Sequence, residues 1–395
     1  MHVLIIPSWY PAYPGDVRGN FFREQAIALR KLGCKVGVIY PQLRPVRQWR
    51  SIFQNNYSVE VNDEFGVRTY RKHGMNWFPR LQGLSQRAWL KAGLELAEKY
   101  IKENGRPDIV HAHSIFNGGF LAAAIKAKYS IPFAVTEHST AYARRLISAD
   151  RLQLAAKVAQ KAGALIAVSS EFCQLLDHTL NTSQKWRYIP NVVNDAFFLQ
   201  KEASQKSKTS FKFINIALAD KKKNQRNLII AFAAKFSTNK NVRLLIGGDG
   251  PELNALRQLA VSLGIADQVE LPGRLSRNQV LIQMNQADAF VLSSNYETFG
   301  VVLIEALALG LPVIATRCGG PESIIREEDG LLVPVDDVES LGAAMEAVFE
   351  NQDRYDPSEI RQACRDRFSE EIIARRLINL YTDVCSAHGA SSHAP

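Results

Sequence analysis

Short apolar runs alternate with longer amphipathic stretches over most of the 395-residue chain. A continuous apolar run followed by apolar positions three or four residues apart is typical of a buried strand and then a helix. Repeated along a chain, this pattern predicts a parallel sheet with helices on both faces. The first predicted helix is Asn20–Leu32. The predicted strands are His2–Ile6, Lys35–Tyr40, Ile109–His111, Phe133–Thr136 and Leu165–Val168, then Phe213–Ala217, Val242–Ile246, Gln268–Leu271, Ala289–Leu292 and Pro312–Ala315.

The alternation restarts after a polar stretch rich in Lys and Ser at residues 200–210, which is typical of a surface connection. The chain is also longer than one hydrophobic core usually supports. We therefore predict an N-terminal domain of residues 1–192 and a C-terminal domain of residues 193–371. An amphipathic helix near residues 372–390 is expected to pack back on the first domain. Two such doubly wound domains would bind a ligand between the carboxyl ends of their sheets.

Two glutamates, Glu297 and Glu305, are the clearest candidate ligand-binding residues. They flank Phe299-Gly300, which opens a predicted helix, and free N–H groups at a helix N-terminus favour anionic or hydroxyl-rich ligands. At 1.5 Å per residue, Glu305 is expected roughly 12 Å further along the axis. That separation could let one carboxylate hold a sugar and the other a ribose. A charged helix start and a solvated helix face would also explain the two residues.

This segment resembles the Glu-x7-Glu motif of glycosyltransferase family 4, whose members are retaining enzymes. The resemblance implies an α/β fold of the GT-B class, with two doubly wound, Rossmann-like parallel-sheet domains facing across a cleft. The N-terminal domain would bind the acceptor and the C-terminal domain the nucleotide-sugar. Other segments that resemble the family occur in matching order and are Asp108–His113, Thr136–His138, Ile189–Val193, Gly247–Glu252, Leu271–Arg274 and Gly319–Glu322.

The resemblance also implies roles for individual residues. Glu297 would hold hydroxyls of the donor sugar, and Glu305 would bind the ribose. Lys223 would bind the diphosphate, where an ammonium offsets charge that develops on the leaving nucleotide. His138 would face the donor sugar. The remaining donor contacts implied are Gly248, Arg274, Leu275, Thr298, Phe299, Gly300 and Val301.

The chain departs from the family pattern at Leu218. The family usually has an arginine there, five residues before the lysine, and leucine cannot donate to a phosphate. Another cation must substitute, or the diphosphate is bound more weakly. The departure keeps a non-catalytic nucleotide-sugar-binding protein as an alternative.

A glycine-containing loop follows the first strand. Gly15 and Gly19 would let backbone amides approach a phosphate or the acceptor closely, and Asp16 and Arg18 are candidate acceptor contacts. An ordinary strand-to-helix loop would have the same composition.

The sequence predicts no metal and no cofactor. His111 and His113 share a strand face, but nothing nearby in the sequence supplies further ligands, and no Asp-x-Asp motif occurs. Five scattered cysteines without a Cys-x-x-Cys pair favour a reducing cytoplasm. The first apolar run ends at Pro7 and is shorter than the apolar core of a signal peptide.

Positive charge is concentrated in the first half, where residues 1–190 contain 26 Lys and Arg against 13 Asp and Glu. An acidic partner or a simply solvated surface would explain the excess. Nucleic acid is not expected, since no recognition motif accompanies the charge. Two basic, apolar segments instead predict peripheral contact with an anionic membrane, on its cytoplasmic face. They are Arg44–Phe53, with Arg47, Trp49, Arg50 and Ile52, and Trp77–Ile101, with Phe78, Arg80, Leu81, Leu84, Arg87, Trp89, Leu90 and Lys91.

Together these features predict a retaining, metal-independent glycosyltransferase. It would move a hexose-type sugar from a nucleotide-sugar, with UDP favoured over GDP, to a glycan or lipid-linked glycan. A nucleotide-sugar epimerase of the same fold is the other alternative.

Overall fold

The computed structural model describes residues 1–11, 19–45, 59–199 and 210–392. The chain divides into two compact units, each with its own sheet. The first unit consists of Met1–Val168, Phe172–Pro190 and the residues from Glu370 onward, and the second of Ser169–Glu171 and Asn191–Ser369.

The first unit has an eight-stranded sheet within the described ranges. Its strands are β1 (His2–Pro7), β2 (Lys35–Pro45), β3 (Val59–Glu64), β4 (Val67–Asn76), β5 (Ile109–His113), β6 (Phe133–Glu137), β7 (Ala164–Ala167) and β8 (Arg187–Tyr188). They lie in the order β3-β4-β2-β1-β5-β6-β7-β8. Every neighbouring pair is parallel except β3 and β4. The strand order reverses between β1 and β5, which is where such sheets open a crevice for ligands.

The parallel strands are joined by helices. These are α1 (Asn20–Lys31), α2 (Gln82–Asn104), α3 (Phe120–Tyr129), α4 (Ala149–Ala159) and α5 (Ser170–Leu180).

The C-terminal helix, Glu370–Ser392, completes the first unit although it follows the second in sequence. The hydroxyl of Tyr381 lies 2.7 Å from Nδ1 of His111 in β5. At the start of the helix, Glu370 accepts a hydrogen bond from Lys31 of α1. A Cβ on Gly163 would lie only 2.5 Å from Cγ1 of Val384, so the glycine permits the close packing of this helix.

The second unit has a six-stranded, wholly parallel sheet in the part of the chain described. Its strands are β9 (Phe211–Ile216), β10 (Val242–Gly247), β11 (Val269–Gly273), β12 (Ala289–Leu292), β13 (Val313–Thr316) and β14 (Gly330–Val333). Its helices are α6 (Gln225–Phe236), α7 (Leu253–Ser262), α8 (Arg277–Asn285), α9 (Val301–Ala308), α10 (Val338–Glu350) and α11 (Pro357–Phe368). The strand order β11-β10-β9-β12-β13-β14 reverses between β9 and β12.

Several elements were not predicted from the pattern. The β3–β4 hairpin is an edge element whose residues alternate in burial and include many charges, so it has no continuous apolar run. Its turn places Phe65 and Gly66 at positive φ, as hairpin turns of two residues require. Strand β8 has only two residues, and β14 is an edge strand whose two middle residues are only partly buried.

Candidate active site

The candidate site of the second unit lies where β9 and β12 run side by side. The strands are parallel, with Phe213 opposite Ala289 and Ile214 opposite Phe290, so the connections that follow them leave the same edge of the sheet. Because the strand order reverses here, the following helices are directed to opposite sides and the two connections enclose a crevice. The connection after β9 contains Lys223, and the connection after β12 contains Glu297.

Lys223 and Glu297 form an ion pair in this crevice. Nζ of Lys223 donates to Oε1 of Glu297 at 2.5 Å, and the two side chains are 17% and 11% exposed. The hydroxyl of Ser294 donates to the same carboxylate oxygen at 2.8 Å. The cation and the carboxylate are thus fixed relative to each other before any ligand arrives.

Hydrogen bonds to backbone carbonyls hold the two connections together. The N–H of Asn295 donates to the carbonyl of Lys222 at 2.8 Å, and the hydroxyl of Ser293 donates to the carbonyl of Lys223 at 2.9 Å. Lys223 ends a 3-10 turn, Lys221–Lys223, whose N-terminus is capped by the side chain of Asp220. The three successive lysines therefore lie on a rigid turn.

Glycines allow the backbone at this edge to approach very closely. Gly248 has φ of 146°, and a Cβ there would lie 1.8 Å from the carbonyl oxygen of Ala217. A Cβ on Gly320 would lie 2.3 Å from the carbonyl oxygen of Phe299. Any side chain at Gly248 or Gly320 would force the connections apart.

Helix α9 begins directly after Phe299-Gly300, where the sequence predicts a helix to open. Gly300, at φ of 104°, precedes the helix and Val301 is its first residue, so only the last part of the Glu297–Glu305 interval is helical. The expected separation of roughly 12 Å along the axis assumed helix throughout the interval, whereas the helix covers only its part from Val301 onward. The ring of Phe299 is buried and packs edge-on against Phe368, which leaves its backbone for contact with a ligand. Thr298 lies in the same connection.

Glu305 is buried inside α9, with 2% of its surface exposed. Its Oε1 accepts from Nη1 of Arg277 at 2.5 Å, and its Oε2 is buried without a hydrogen-bond partner among the described residues. The guanidinium of Arg277 lies over the ring of Phe197, 4.6 Å from the centroid. A buried carboxylate oxygen without a donor lowers the stability of the fold. A ligand hydroxyl that donates to Oε2 would remove this cost.

Arg274 and Leu275 lie between β11 and α8, just before Arg277. Arg274 is exposed, whereas the Leu275 side chain packs against Gly247, where a Cβ would lie 2.6 Å from its Cδ1. The N–H of Gly248 donates to the carbonyl of Gly273 at 2.8 Å. This hydrogen bond and the packing of Leu275 bring the connections after β10 and β11 together.

The first unit has a buried histidine cluster at the ends of β5 and β6. Nδ1 of His113 and Nε2 of His138 are hydrogen-bonded at 3.0 Å, and His111 is bonded to Thr136 as well as to Tyr381. Burial lowers the pKa of His111 and of His138 to about 3, and that of His113 also well below its usual value. The three rings are therefore neutral at physiological pH. The rings of Phe21 and Phe22 pack against His138.

Glu137, the last residue of β6, is a fully buried carboxylate. It accepts from the backbone N–H groups of Ile115 and His138, both at 2.8 Å, and of Ser139 at 3.0 Å. Burial raises its pKa, while these N–H groups act in the opposite direction. Glu137 thus fixes the backbone that carries His138.

Gly19 is the described part of the predicted loop of the first unit. It immediately precedes α1 with φ of 69°, and a Cβ would lie 2.9 Å from Cδ1 of Trp9. Gly15, Asp16 and Arg18 lie outside the described residues.

Leu218 points outward at the edge that carries the site, with 63% of its surface exposed. Its carbonyl accepts from the side chain of Gln225 at 3.0 Å. Nearby, burial raises the pKa of the Cys318 thiol to about 12, so Cys318 is not a thiolate. No group of three or more His, Cys, Asp or Glu among the described residues is arranged to hold a metal ion.

Three residues of these clusters were not singled out from sequence. Ser294 is the second residue after β12, and a polar residue just beyond the end of a buried strand is a usable signal. Glu137 adjoins a predicted strand end in the same way. Arg277 gave no local signal, because its partner Glu305 is 28 positions away.

Family models match both units of the chain. The family model described as "Glycosyltransferase Family 4" matches residues 19–197, and "Glycosyl transferases group 1" matches residues 197–367. N-acetyl-alpha-D-glucosaminyl L-malate synthase of Bacillus anthracis is 29% identical over 236 residues, which is 57% of this chain and 61% of that protein. The chain spans less than two thirds of the first curated relatives that it matches, at 61%, 24% and 65% of their lengths.

Solved structures share the fold over 97–98% of the chain. Sucrose-phosphate synthase of Thermosynechococcus elongatus superposes with a TM-score of 0.81 at 20% identity, covering 98% of this chain and all of that one. Anabaena HepE, crystallised with UDP-glucose, superposes with a TM-score of 0.72 at 18% identity, covering 97% and 99%. These likenesses confirm the predicted GT-B fold, and the family matches confirm the resemblance seen in the sequence. The chain belongs to glycosyltransferase family 4.

Proposed function

We propose that this chain is a retaining glycosyltransferase that moves a hexose-type sugar from UDP-sugar to a glycan or lipid-linked glycan. The observation that carries the proposal is the Lys223–Glu297 ion pair, which lies in the crevice at the strand reversal of the second unit. It joins a cation suited to a diphosphate with a carboxylate suited to sugar hydroxyls.

Lys223 would stabilise charge on the departing diphosphate. In the proposed step, the bond between the anomeric carbon and the diphosphate oxygen breaks and a bond to the acceptor oxygen forms on the same face. The acceptor proton passes to the departing phosphate oxygen, so that no metal and no carboxylate nucleophile take part. Preorganised charge of this kind is usually the largest catalytic contribution. The rigid turn that holds Lys223 supports the assignment.

Glu297 would bind hydroxyls of the donor sugar. Its Oε1 already accepts from Lys223 and Ser294, which fixes the carboxylate in one orientation. A fixed acceptor orients the sugar without attacking it, and orientation lowers the barrier by removing rotational freedom in advance.

Glu305 would bind the nucleotide ribose through its second oxygen. The support is the unsatisfied, buried Oε2, which a ribose hydroxyl would supply with a donor. The choice of UDP is supported by the neighbour HepE, whose crystals contain UDP-glucose. The amides around Gly300 at the start of α9 would add dipolar attraction for the diphosphate.

His138 in the first unit would contact the donor sugar as a neutral ring. Its pKa, lowered by burial to about 3, leaves it available to donate or accept a hydrogen bond without a charge. Gly19 and the neighbouring Gly15, Asp16 and Arg18 would contact the acceptor.

The acceptor unit would also touch an anionic membrane. The residues just before α2 and its first turns present a set of exposed side chains that we call the basic apolar surface. It is made of Trp77, Phe78, Arg80, Leu81, Leu84 and Arg87. Trp77 is 61% exposed, whereas Trp89 further along α2 is buried. Only the beginning of the predicted segment therefore offers apolar side chains to a membrane. The other predicted segment lies mostly outside the described residues, and no helix among those described is both long and apolar enough to span a membrane.

The test begins with thermal unfolding in UDP, GDP and ADP. A ligand that binds only the folded state raises the midpoint, and we expect UDP to do so most strongly. UDP-sugars are then incubated with and without candidate acceptors. The expected result is acceptor-dependent release of UDP and a glycoside of unchanged anomeric configuration by NMR.

Other outcomes would contradict the proposal. Isomerisation of the donor without acceptor would indicate an epimerase, and binding without any release of UDP would indicate a non-catalytic binding protein. An inverted product would reject the retaining mechanism.

A further inference from the structure

The two oxygens of the Glu305 carboxylate differ in their hydrogen bonding. Oε1 accepts from Arg277 at 2.5 Å, and Oε2, which is buried, has no donor among the described residues. An ionised carboxylate has lone pairs for about four hydrogen bonds. Arg277 thus holds one carboxylate oxygen, and the other oxygen still lacks a hydrogen-bond donor among the described residues.

Arg277 is itself held in place. It is the first residue of α8, whose N-terminus is closed by a capping box between Ser276 and Gln279. Its guanidinium also lies over Phe197 at 4.6 Å, within the range of a cation–π contact. Phe197 is buried, so the guanidinium rests on a fixed surface.

We propose that Arg277 is a positioning residue for the nucleotide: it holds one oxygen of Glu305 so that the other accepts a ribose hydroxyl. This inference rests on the proposed function, in which Glu305 binds ribose. It adds a prediction that the ribose assignment alone does not make, namely that Arg277 determines how strongly the site prefers a ribonucleotide to a deoxynucleotide.

The physical reason is geometric. Without Arg277 the Glu305 carboxylate loses its fixed donor and can rotate, and a hydrogen bond from ribose no longer meets a preset acceptor. Lysine keeps the charge but lacks the planar fork of arginine. Arg277→Lys should therefore restore part of what Arg277→Ala loses.

The experiment measures dissociation constants by calorimetry for UDP, 2′-deoxy-UDP and 3′-deoxy-UDP. A hydrogen bond to a charged group contributes about 1.5–3 kcal/mol, which corresponds to roughly 10-fold to 150-fold in affinity. The wild type should prefer UDP to at least one deoxy analogue by at least about 10-fold. Arg277→Ala should reduce that preference to about 2-fold or less, on the order of a lost hydrogen bond, with Arg277→Lys between the two.

A double variant and a surface control complete the design. In a Glu305→Ala background, Arg277→Ala should cause little further loss, because residues that act through one contact are not additive. Lys240→Ala removes an exposed pair with Asp267 on the same unit and should leave the preference unchanged. Thermal unfolding checks that each variant is folded.

The results separate the inference from the function beneath it. If the wild type binds UDP with a ribose preference and Arg277→Ala keeps that preference, the positioning role is rejected while nucleotide binding stands. Tighter binding of UDP by Arg277→Ala would also reject it, because Arg277 would then compete with the nucleotide for Glu305. If the wild type binds no nucleotide, the proposed function and the inference both fail.

Discussion

Lys223 and Glu297 are 74 positions apart in sequence, yet Nζ of one lies 2.5 Å from Oε1 of the other. Each lies in the connection after one of two adjacent central strands. The contact therefore follows from the sheet topology and not from any local motif. It also means that neither residue can be altered without changing the environment of the other.

Removing either member of this pair should lower turnover strongly. We expect Glu297→Gln to reduce kcat by at least about 10²-fold, the scale of losing one transition-state contact, and Lys223→Ala to reduce it at least as much. The fold-loss of kcat in the double variant should be smaller than the product of the two single fold-losses, because contacting residues are coupled. Lys221→Ala, which removes an exposed neighbouring lysine, is the control. Near-normal kcat in Glu297→Gln would remove Glu297 from the catalytic residues.

Leu218→Arg should strengthen the binding of UDP. The leucine side chain is largely exposed, so an arginine can be accommodated without repacking the core, and its guanidinium could pair with the diphosphate. Leu218→Gln, which is similar in size but uncharged, should have no such effect. Calorimetry with UDP makes the comparison. Weaker binding by Leu218→Arg would show that the diphosphate lies elsewhere.

His138→Ala should impair sugar transfer more than nucleotide binding. His138 belongs to the first unit, whereas Lys223 and Glu305 lie in the second, so the free nucleotide should be bound almost as well as before. Steady-state transfer rates and calorimetry with UDP are compared in the same variant. A large loss of UDP affinity in a folded protein would contradict the assignment of His138 to the sugar. Phe21 and Phe22 pack against the ring, so thermal unfolding must accompany the measurement.

Acid should destabilise the protein through its buried histidines. The pKa of His111 is about 3 in the fold and about 6.5 when unfolded, so between these values the unfolded state binds the extra proton. Stability is therefore lost as pH falls below about 6.5, by up to about 1.4 kcal/mol per pH unit for one histidine.

The matching measurement is the unfolding midpoint between pH 7 and pH 5. His111→Asn should show a shallower fall than the wild type, although it also loses the contact with Tyr381. His178→Asn, at an exposed position of α5, should behave as the wild type. An identical pH dependence in His111→Asn and the wild type would contradict the explanation.

The basic apolar surface should bind anionic vesicles. We expect sedimentation with phosphatidylglycerol vesicles but little with phosphatidylcholine, and loss of binding at high salt. Each cation near an anionic surface contributes about 1 kcal/mol, so Arg80→Glu plus Arg87→Glu should weaken binding sharply, and Trp77→Ser should weaken it at all salt concentrations. The control is Lys102→Glu plus Arg106→Glu, which changes the net charge by the same amount. Both positions are exposed, one in the last turn of α2 and one just after it, and this pair should weaken binding less. Equal weakening by both pairs, or no binding at low salt, would reject this surface.

The alternation of apolar runs predicted the central strands well. Strands such as β7 and β12 are buried at every position, so their residues are apolar without interruption, and this signal is available in the sequence. Edge elements carry no such signal. The β3–β4 hairpin is half-exposed, and its strands therefore look like any polar stretch.

The candidate site was predictable only as far as strand ends could be located. Lys223, Glu297 and His138 each follow a predicted strand, and parallel strands bring their ends to one edge. Arg277 was missed because its partner Glu305 is brought to it by folding. The estimate of the Glu297–Glu305 separation assumed continuous helix, whereas α9 begins only at Val301, and sequence spacing alone does not show the path of the residues before a helix.

The C-terminal helix also affects the order in which the protein can fold during synthesis. Domains generally fold as units while the chain emerges, with the N-terminal one first. Here the first unit needs Tyr381 against His111 and Glu370 against Lys31, and these residues are translated after the whole of the second unit. When the last residue of the second unit has been synthesised, the first unit therefore still exposes the apolar surface that residues such as Ile373 and Leu377 of this helix cover. A chain that ends near Ser369 would retain the Lys223–Glu297 ion pair. It would nevertheless lack the helix that completes the first unit.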